Sequence, residues 1–269
     1  MADNHRMEGR TGLVAAFAIL VALAGAWSQV PDKPEPLLPT SEYHFVRLEY
    51  VDRAGARRGW GGRGFGRPGW WRQDWPEAEI HFAQGVRRLT RIDTGDGVHL
   101  PLTDDRIFDY PWLYATQVGY WDLSDVEVNR LRDYLLRGGF LVVDDFYGLE
   151  DWAVFRDTME RVLPGRAILD VEESHDLTNV LYTIRDRTFI PGLRHLRAGA
   201  GGTVVIQPQA MPPSWRAIYD DEGHVLVAIN YNMDVGDAWE HADMPEYPEQ
   251  MTTLAYRFGI NYLVYSMTH

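Results

Sequence analysis

The clearest alternation of apolar and polar positions lies in residues 124–146. Ser124 and Glu127 have the S-x-x-E spacing of a helix capping box. Three apolar residues then recur at helical spacing: Val128, Leu131 and Leu135. A Gly-Gly pair ends the pattern, and the all-apolar run 140–143 is typical of a parallel strand covered on both faces. The segment predicts a capped helix followed by a buried strand.

Strand and helix patterns alternate along the rest of the chain. The other predicted strands are Tyr43–Val51, Val98–Leu102, Tyr110–Val118, Ala167–Val171 and Val204–Gln207, with a hairpin of Trp215–Tyr219 and His224–Asn230. The other predicted helices begin near Asp74, span Leu149–Leu163 and close the chain around 251–262. Asp74 has capping-box spacing to Glu77, and the helix after it is expected to bury Ala78, Phe82, Val86 and Leu89. This order predicts a mainly parallel sheet with helices on both faces.

The first 26 residues have the pattern of a secretory signal peptide. Arg6 and Arg10 precede an apolar run, and 24–26 reads Ala-Gly-Ala, a small-residue cleavage site. The apolar stretch covers ~14 residues, whereas a membrane-spanning helix needs about 20. We expect a signal peptide at 1–26, a Pro-rich linker at 27–42 and one α/β domain at 43–269 in a periplasmic or secreted protein. The alternative is an uncleaved N-terminal membrane anchor.

Composition excludes several classes of function. The net charge of −13 disfavours nucleic-acid binding, which depends on neutralising phosphates. The chain has no cysteine, so a thiol nucleophile, a thiolate metal site and a redox pair are all excluded. The one lysine, Lys33, lies in the linker, which excludes a Walker phosphate loop and Schiff-base chemistry from the domain.

Seven short patches occur in an order that resembles the bacterial domain-of-unknown-function family 4159. They are 74–82, 89–92, 102–115, 124–146, 173–179, 230–240 and 257–266. The run LRDYLLRGGFLVVDDF also resembles the helix–GG–strand unit of class I glutamine-amidotransferase-like domains, which implies a flavodoxin-like sheet. In that superfamily the corresponding strand presents the nucleophile on a strand-to-helix turn. Here the turn is 144–148, and without cysteine it cannot hydrolyse glutamine through a thiol.

Asp144 and Asp145 are the strongest candidates for a site, because α/β sheets bind ligands beyond the carboxyl ends of their strands. One of them could pair with Asp104 or Asp105 from a neighbouring strand end, or ligate Mg²⁺ or Ca²⁺. The alternative is that one aspartate caps the next helix and the other faces water. His175 could reach the same face, and the alternative is that it forms a turn or a local loop hydrogen bond.

Further candidates lie in two patches and in the turn, where Tyr147 is a possible ligand contact. The loop 53–73 is rich in arginine, tryptophan and glycine and contributes Arg63, Trp70 and Trp71, which suit an anionic glycan or an acidic partner. Its G-x-G-x-x-G match at 59–64 is not a dinucleotide site, because no helix directly follows it. The second patch comprises Asp234, Asp237, Trp239 and Glu240, which line a cleft or form a solvated loop.

The function expected first is a non-catalytic binding module of the bacterial envelope, with a ligand or protein partner at these strand ends. The sequence requires no cofactor, and membrane contact is expected only through the N-terminal segment. The alternative is a hydrolase that uses Asp144, Asp145 and His175, with or without a divalent metal, on a carbohydrate or cell-wall-like substrate. No recognised catalytic motif decides between the two.

Overall fold

The computed structural model describes residues 41–54, 69–199, 204–207 and 211–269. The predicted signal peptide, nearly all of the linker and Arg63 lie outside the described residues, so those expectations stay predictions. None of the helices within the described ranges is both long enough and apolar enough to cross a membrane.

Nine strands and five α-helices make up the regular structure of the described residues. The strands are β1 Val46–Glu49, β2 Val98–Pro101, β3 Trp112–Thr116, β4 Phe140–Phe146, β5 Ile168–Asp170, β6 Leu196–Ala198, β7 Val204–Ile206, β8 Ser214–Tyr219 and β9 Val225–Tyr231. The helices are α1 Glu77–Leu89, α2 Asp125–Leu136, α3 Gly148–Val162, α4 Val235–Glu240 and α5 Glu249–Thr268.

Seven of the strands form one sheet in the order β2-β1-β3-β4-β9-β8-β5. The five strands β2, β1, β3, β4 and β9 are parallel to one another. At the edge beyond β9, β8 pairs antiparallel with β9 and β5 pairs antiparallel with β8. Strands β6 and β7 pair separately. The predicted α/β class and the mainly parallel sheet are therefore confirmed, as is the β8–β9 hairpin.

Strand β4 lies at the centre of the sheet and is covered on both faces. Phe140 and Val142 pack into the core layer that includes Phe82 of α1 and Phe258 of α5. Leu141 and Val143 point the other way, into the layer formed with α2 and α3. Because successive side chains of a strand alternate between faces, a strand buried on both sides must be apolar throughout.

The 124–146 unit forms as its pattern predicts. The Ser124 side chain accepts from the Glu127 backbone and the Glu127 side chain accepts from the Ser124 backbone, which completes the capping box. Gly138 leaves the helix with a φ of 93°, a left-handed conformation that favours glycine.

The start of α1 differs from the prediction. The residue preceding the helix is Pro76, and no side chain caps its first turn. Asp74 has a φ of 65° and turns its carboxylate into the protein instead. Leu89, the last residue of the helix, is 52% exposed, so the buried face of α1 ends at Val86.

Candidate functional site

Strand β4 continues through both aspartates, and neither carboxylate is exposed to solvent. Its pairing with β9 shifts between Val143 and Phe146, and Asp145 has a φ of 52°. This irregularity reverses the alternation of faces. Phe146 consequently packs in the layer of Leu141 and Val143 rather than in the layer of Phe140.

Asp144 joins three parts of the carboxyl edge of the sheet. Its Oδ2 accepts hydrogen bonds from the Tyr114 hydroxyl of β3 at 2.7 Å and from the backbone N–H groups of Val235 and Gly236 at 2.9 and 3.0 Å. Its Oδ1 is buried and has no hydrogen-bond partner in the part of the chain that the structure describes. Burial raises the pKa of Asp144 to about 8, and the neighbouring Asp145 charge adds to the rise.

Asp145 is held by different partners. Gln117, which follows β3, donates to its Oδ2, and Arg194 donates from Nη2 to its Oδ1 at 3.0 Å. Burial raises the pKa of Asp145 to about 6, against the opposing charge of Arg194. The two adjacent aspartates thus have separate hydrogen-bond partners.

Three buried carboxylates, Asp74, Asp145 and Asp234, form what we call the aspartate cluster. One oxygen from each lies within 4.8 Å of the others. Asp74 Oδ1 accepts from Gln73 Nε2 at 2.6 Å, whereas its Oδ2 has no hydrogen-bond partner within the described ranges. Burial, with the charges of neighbouring aspartates, raises the pKa of Asp74 and of Asp234 well above the ordinary value. The chain therefore concentrates negative charge, or protons, at one buried point.

Arg194, Tyr147 and His195 lie beside the cluster. The Arg194 guanidinium stacks 4.3 Å from the centre of the Tyr147 ring, and His195 lies 5.4 Å from the same ring. The Tyr147 hydroxyl is buried, has no hydrogen-bond partner among the residues that the structure describes, and interacts electrostatically with Asp234 and Asp145. Burial and the Arg194 charge lower the pKa of His195 to about 4, so its imidazole is neutral at pH 7.

The prediction that Asp144 and Asp145 share a cleft with Asp104, Asp105 and His175 is wrong. Asp104 caps a short 3₁₀ helix and pairs with Arg106 at 2.7 Å, while Asp105 pairs with Arg130 at 2.7 Å. Both follow β2, which two strands separate from β4.

His175 follows β5 at the antiparallel edge of the sheet. Its Nδ1 accepts from the Leu177 backbone at 3.0 Å, the local hydrogen bond that was the alternative expectation. Burial lowers the pKa of His175. The residues predicted to act together with Asp144 thus form their ion pairs and hydrogen bonds elsewhere in the fold.

The aromatic residues predicted as ligand contacts also lie apart from one another. Trp70 stacks on Tyr120 with ring centres 4.8 Å apart, and Trp71 packs against His99 at 5.2 Å. Trp239 is 1% exposed and packs 4.5 Å from Phe82, which makes it a core residue rather than a ligand contact. Of the predicted ligand contacts that are described, Tyr147 is the one beside the cluster.

The alternative interpretations, in which these acidic residues only cap a helix or lie in a solvated loop, are wrong as well. Neither aspartate of β4 caps α3, whose first N–H groups bond instead to Asp151 and Asn232. The second acidic patch is not a solvated loop, because Asp234 and Asp237 are buried at the start of α4.

Sequence reasoning missed Asp74, Gln117 and Arg194 as site residues. The spacing of Asp74 to Glu77 predicts a helix cap instead, and no motif surrounds the other two. The Asp-Asp pair at the end of the buried strand was the one local signal that pointed to this place.

Together these features define an α/β domain that carries a buried acidic site at the carboxyl edge of its sheet. The model of the family described as Domain of unknown function (DUF4159) matches residues 45–267. The chain therefore belongs to this family, as the sequence patches indicated. No curated protein matches the chain.

Proposed function

We propose that this chain is a non-catalytic ligand-binding module of the bacterial envelope, and that its aspartate cluster holds a hard divalent cation, Mg²⁺ or Ca²⁺. The observation that carries the proposal is the convergence of Asp74, Asp145 and Asp234. Three buried carboxylate oxygens within 4.8 Å of one another form an all-oxygen donor set, which is what these cations prefer.

Electrostatics support a cation at this point. Buried carboxylates are costly unless they are protonated, paired or bound to a metal. Arg194 donates a hydrogen bond to Asp145 and interacts with Asp234 through its charge. Opposite ligands of a Ca²⁺ ion stand roughly 5 Å apart, so the spacing of the cluster suits coordination without large rearrangement.

Two unpartnered polar atoms point to the same conclusion. Asp74 Oδ2 and the Tyr147 hydroxyl are buried without hydrogen bonds to any described residue, and each such group costs about 1–3 kcal/mol. Asp74 Oδ2 is a direct ligand for a cation, and the Tyr147 hydroxyl suits a cation-bound water. A bound ion would thus relieve groups that the protein alone leaves unsatisfied.

Calorimetric titration tests the proposal. The 27–269 protein is treated with chelator and titrated with Ca²⁺ and with Mg²⁺; the expected result is one equivalent of at least one of them. The variant Asp74→Asn/Asp234→Asn should lose this binding, whereas the control Asp104→Asn/Asp105→Asn, which alters aspartates paired elsewhere, should keep it. Absence of binding in the unmodified protein, or equal binding in the cluster variant, would overturn the proposal.

We also infer the flavodoxin-like, amidotransferase-like form of the fold. Counted among themselves, the parallel strands β2-β1-β3-β4-β9 have the order 2-1-3-4-5, which is the flavodoxin-like order. The positive φ of Asp145 supports the superfamily resemblance, because nucleophiles of α/β hydrolytic folds sit on strained strand-to-helix turns. Here an aspartate held by Arg194 stands at that turn.

Export through the segment 1–26 remains part of the proposal and rests on its charge and apolar pattern. Expression of the full chain in a bacterial host, followed by fractionation and N-terminal sequencing, tests it. A mature protein beginning at Trp27 outside the cytoplasm is expected. A full-length protein in the membrane fraction would favour the anchor instead.

A carboxylate hydrolase is the second candidate, and a difference in pKa favours it. Asp144 has a pKa of about 8 and Asp145 one of about 6, and such a difference lets one carboxyl act as acid and another as base. Purified protein with Ca²⁺ or Mg²⁺ is assayed on peptidoglycan and chromogenic glycosides. Turnover that disappears in Asp145→Asn would support the hydrolase over the binding module.

A further inference from the structure

A second group of potential metal ligands runs along α4, from Asp237 in its first turn to His241 just after its end. Asp237, Glu240 and His241 are spaced i, i+3 and i+4, so their side chains share one face of the helix. His241 Nε2 lies 3.3 Å from Glu240 Oε2 and 3.9 Å from Asp237 Oδ1. The three side chains are mostly but not fully buried, at 15%, 24% and 11% exposure for His241, Glu240 and Asp237. A solvated ion can therefore reach them.

We propose that this histidine–carboxylate set is a second metal site, selective for a transition metal of the Zn²⁺ type. Tetrahedral zinc with bonds of 2.0–2.1 Å places its ligands about 3.3 Å apart. The His241–Glu240 distance already has this value, and the His241–Asp237 distance of 3.9 Å exceeds it by about 0.6 Å. Asp237 Oδ2 accepts from the Leu193 backbone at 2.6 Å, which orients the carboxylate and leaves Oδ1 for the metal.

A neighbouring histidine provides an independent reason to expect a ligand here. His195 Nδ1 is buried and has no hydrogen-bond partner among the described residues. Its ring interacts electrostatically with Asp237, which brings a second imidazole into the same region. Imidazole nitrogen favours zinc and related metals, whereas Mg²⁺ and Ca²⁺ prefer oxygen alone. The donor chemistry of this set therefore differs from that of the aspartate cluster.

The two sites are adjacent but share no ligand. A Cβ on Gly192 would lie 2.5 Å from Asp234 Oδ2 and 3.0 Å from Asp237 Oδ2, so only a glycine lets the chain pass between these carboxylates. The Asp237 backbone N–H also donates to Asp234 Oδ1 at 2.8 Å. The second site is thus argued from its own residues and does not depend on the proposed cation at the aspartate cluster.

Zinc binding to the 27–269 protein tests the proposal. One Zn²⁺ per chain is expected to remain after dialysis against excess Mg²⁺ and Ca²⁺, and Co²⁺ in its place should give the visible absorption of a nitrogen-ligated ion. His241→Gln should weaken Zn²⁺ binding by at least about tenfold. The matched control is His224→Gln, because His224 forms another i,i+4 pair, with Asp220 at 3.2 Å, that is not part of a three-ligand group among the described residues.

Two further variants keep the outcome decisive. Glu240→Gln removes a more exposed ligand and should weaken Zn²⁺ in the same way, which covers the case that His241→Gln fails to fold. Asp74→Asn/Asp234→Asn should lose binding of Ca²⁺ or Mg²⁺ and keep binding of Zn²⁺. The proposals for the two sites are therefore tested independently of each other. If the unmodified protein binds no Zn²⁺, or if His241→Gln and Glu240→Gln bind it as well as His224→Gln does, the set is only an ion pair and the proposal is overturned.

Discussion

Asp144 and Asp145 are neighbours in sequence, and β4 contains one extra residue where they lie. Asp144 follows the regular alternation of the strand and points toward α4, where Val235 and Gly236 donate to it. Asp145 lies within the irregularity, and its positive φ turns its carboxylate toward Arg194 and Gln117. A regular strand would place adjacent side chains on opposite faces of the sheet. The backbone conformation of a single residue thus assembles the aspartate cluster.

At the residue scale, the pKa of Asp144 predicts how stability depends on pH. The folded protein keeps the Asp144 proton up to about pH 8, whereas the unfolded chain releases it near pH 4. In chelator, the free energy of unfolding should therefore be highest below about pH 4 and fall as the pH rises toward 8, as far as this group is concerned.

Urea unfolding at a series of pH values, with chelator present, measures this dependence. Between about pH 6.5 and 8, where an unshifted histidine or aspartate contributes little, Asp144→Asn should flatten the decline. Asp105→Asn is the control, because that carboxylate is exposed at the surface and pairs with Arg130, and it should leave the slope unchanged. An equal slope in Asp144→Asn and the unmodified protein would contradict the assignment.

At the scale of single elements, local signals succeeded where the chain satisfies its own hydrogen bonds. The capping box of α2 needs only residues three positions apart, and it forms as predicted. The same spacing at Asp74 and Glu77 does not form a cap, because the Asp74 carboxylate is drawn into the aspartate cluster. Tertiary contacts therefore override a local propensity at the position that contributes to the site.

Replacement of Ser124 tests the contribution of the α2 cap. Ser124→Ala removes the side chain that accepts from the Glu127 backbone, and the expected loss is about 1 kcal/mol of unfolding free energy. Ser266→Ala, in the last turn of α5 and not at its N-cap, should cost less. Urea denaturation measures both, and cation affinity should stay unchanged in each because neither serine belongs to the cluster.

At the scale of the whole molecule, the cluster joins segments that are far apart in sequence. Asp74 precedes α1, Asp145 lies at the end of β4 and Asp234 precedes α4. A cation bound to all three would crosslink the carboxyl edge of the folded sheet and would have no comparable site in the unfolded chain. Its binding free energy then adds to the stability of the whole domain.

Thermal unfolding with and without cation measures this link. At a free cation concentration of about 100 times Kd, the expected stabilisation is about 2.7 kcal/mol. For a domain of this size the corresponding rise in Tm is about 5–10 °C. Asp74→Asn/Asp234→Asn should show no such rise, and a similar rise in this variant would mean that the ion acts elsewhere.

Strand order explains why half of the predicted cleft was wrong. Asp104 and His175 follow strands that precede and succeed β4 along the chain, so they were expected near it. In the sheet, β1 and β3 lie between β2 and β4, while the β8–β9 hairpin lies between β4 and β5. Hydrophobic patterns identify strands but do not give the order in which they pair.

The sequence by itself determined the α/β class, the buried central strand, the capped helix before it and the acidic pair at its end, together with the family. These features follow from periodicity and from contacts between residues close along the chain. Only the tertiary structure decided which carboxylates meet, because Asp74, Asp145 and Asp234 converge through strand order and one irregular residue in β4. Neither property is encoded in local spacing, since both arise from packing between distant segments.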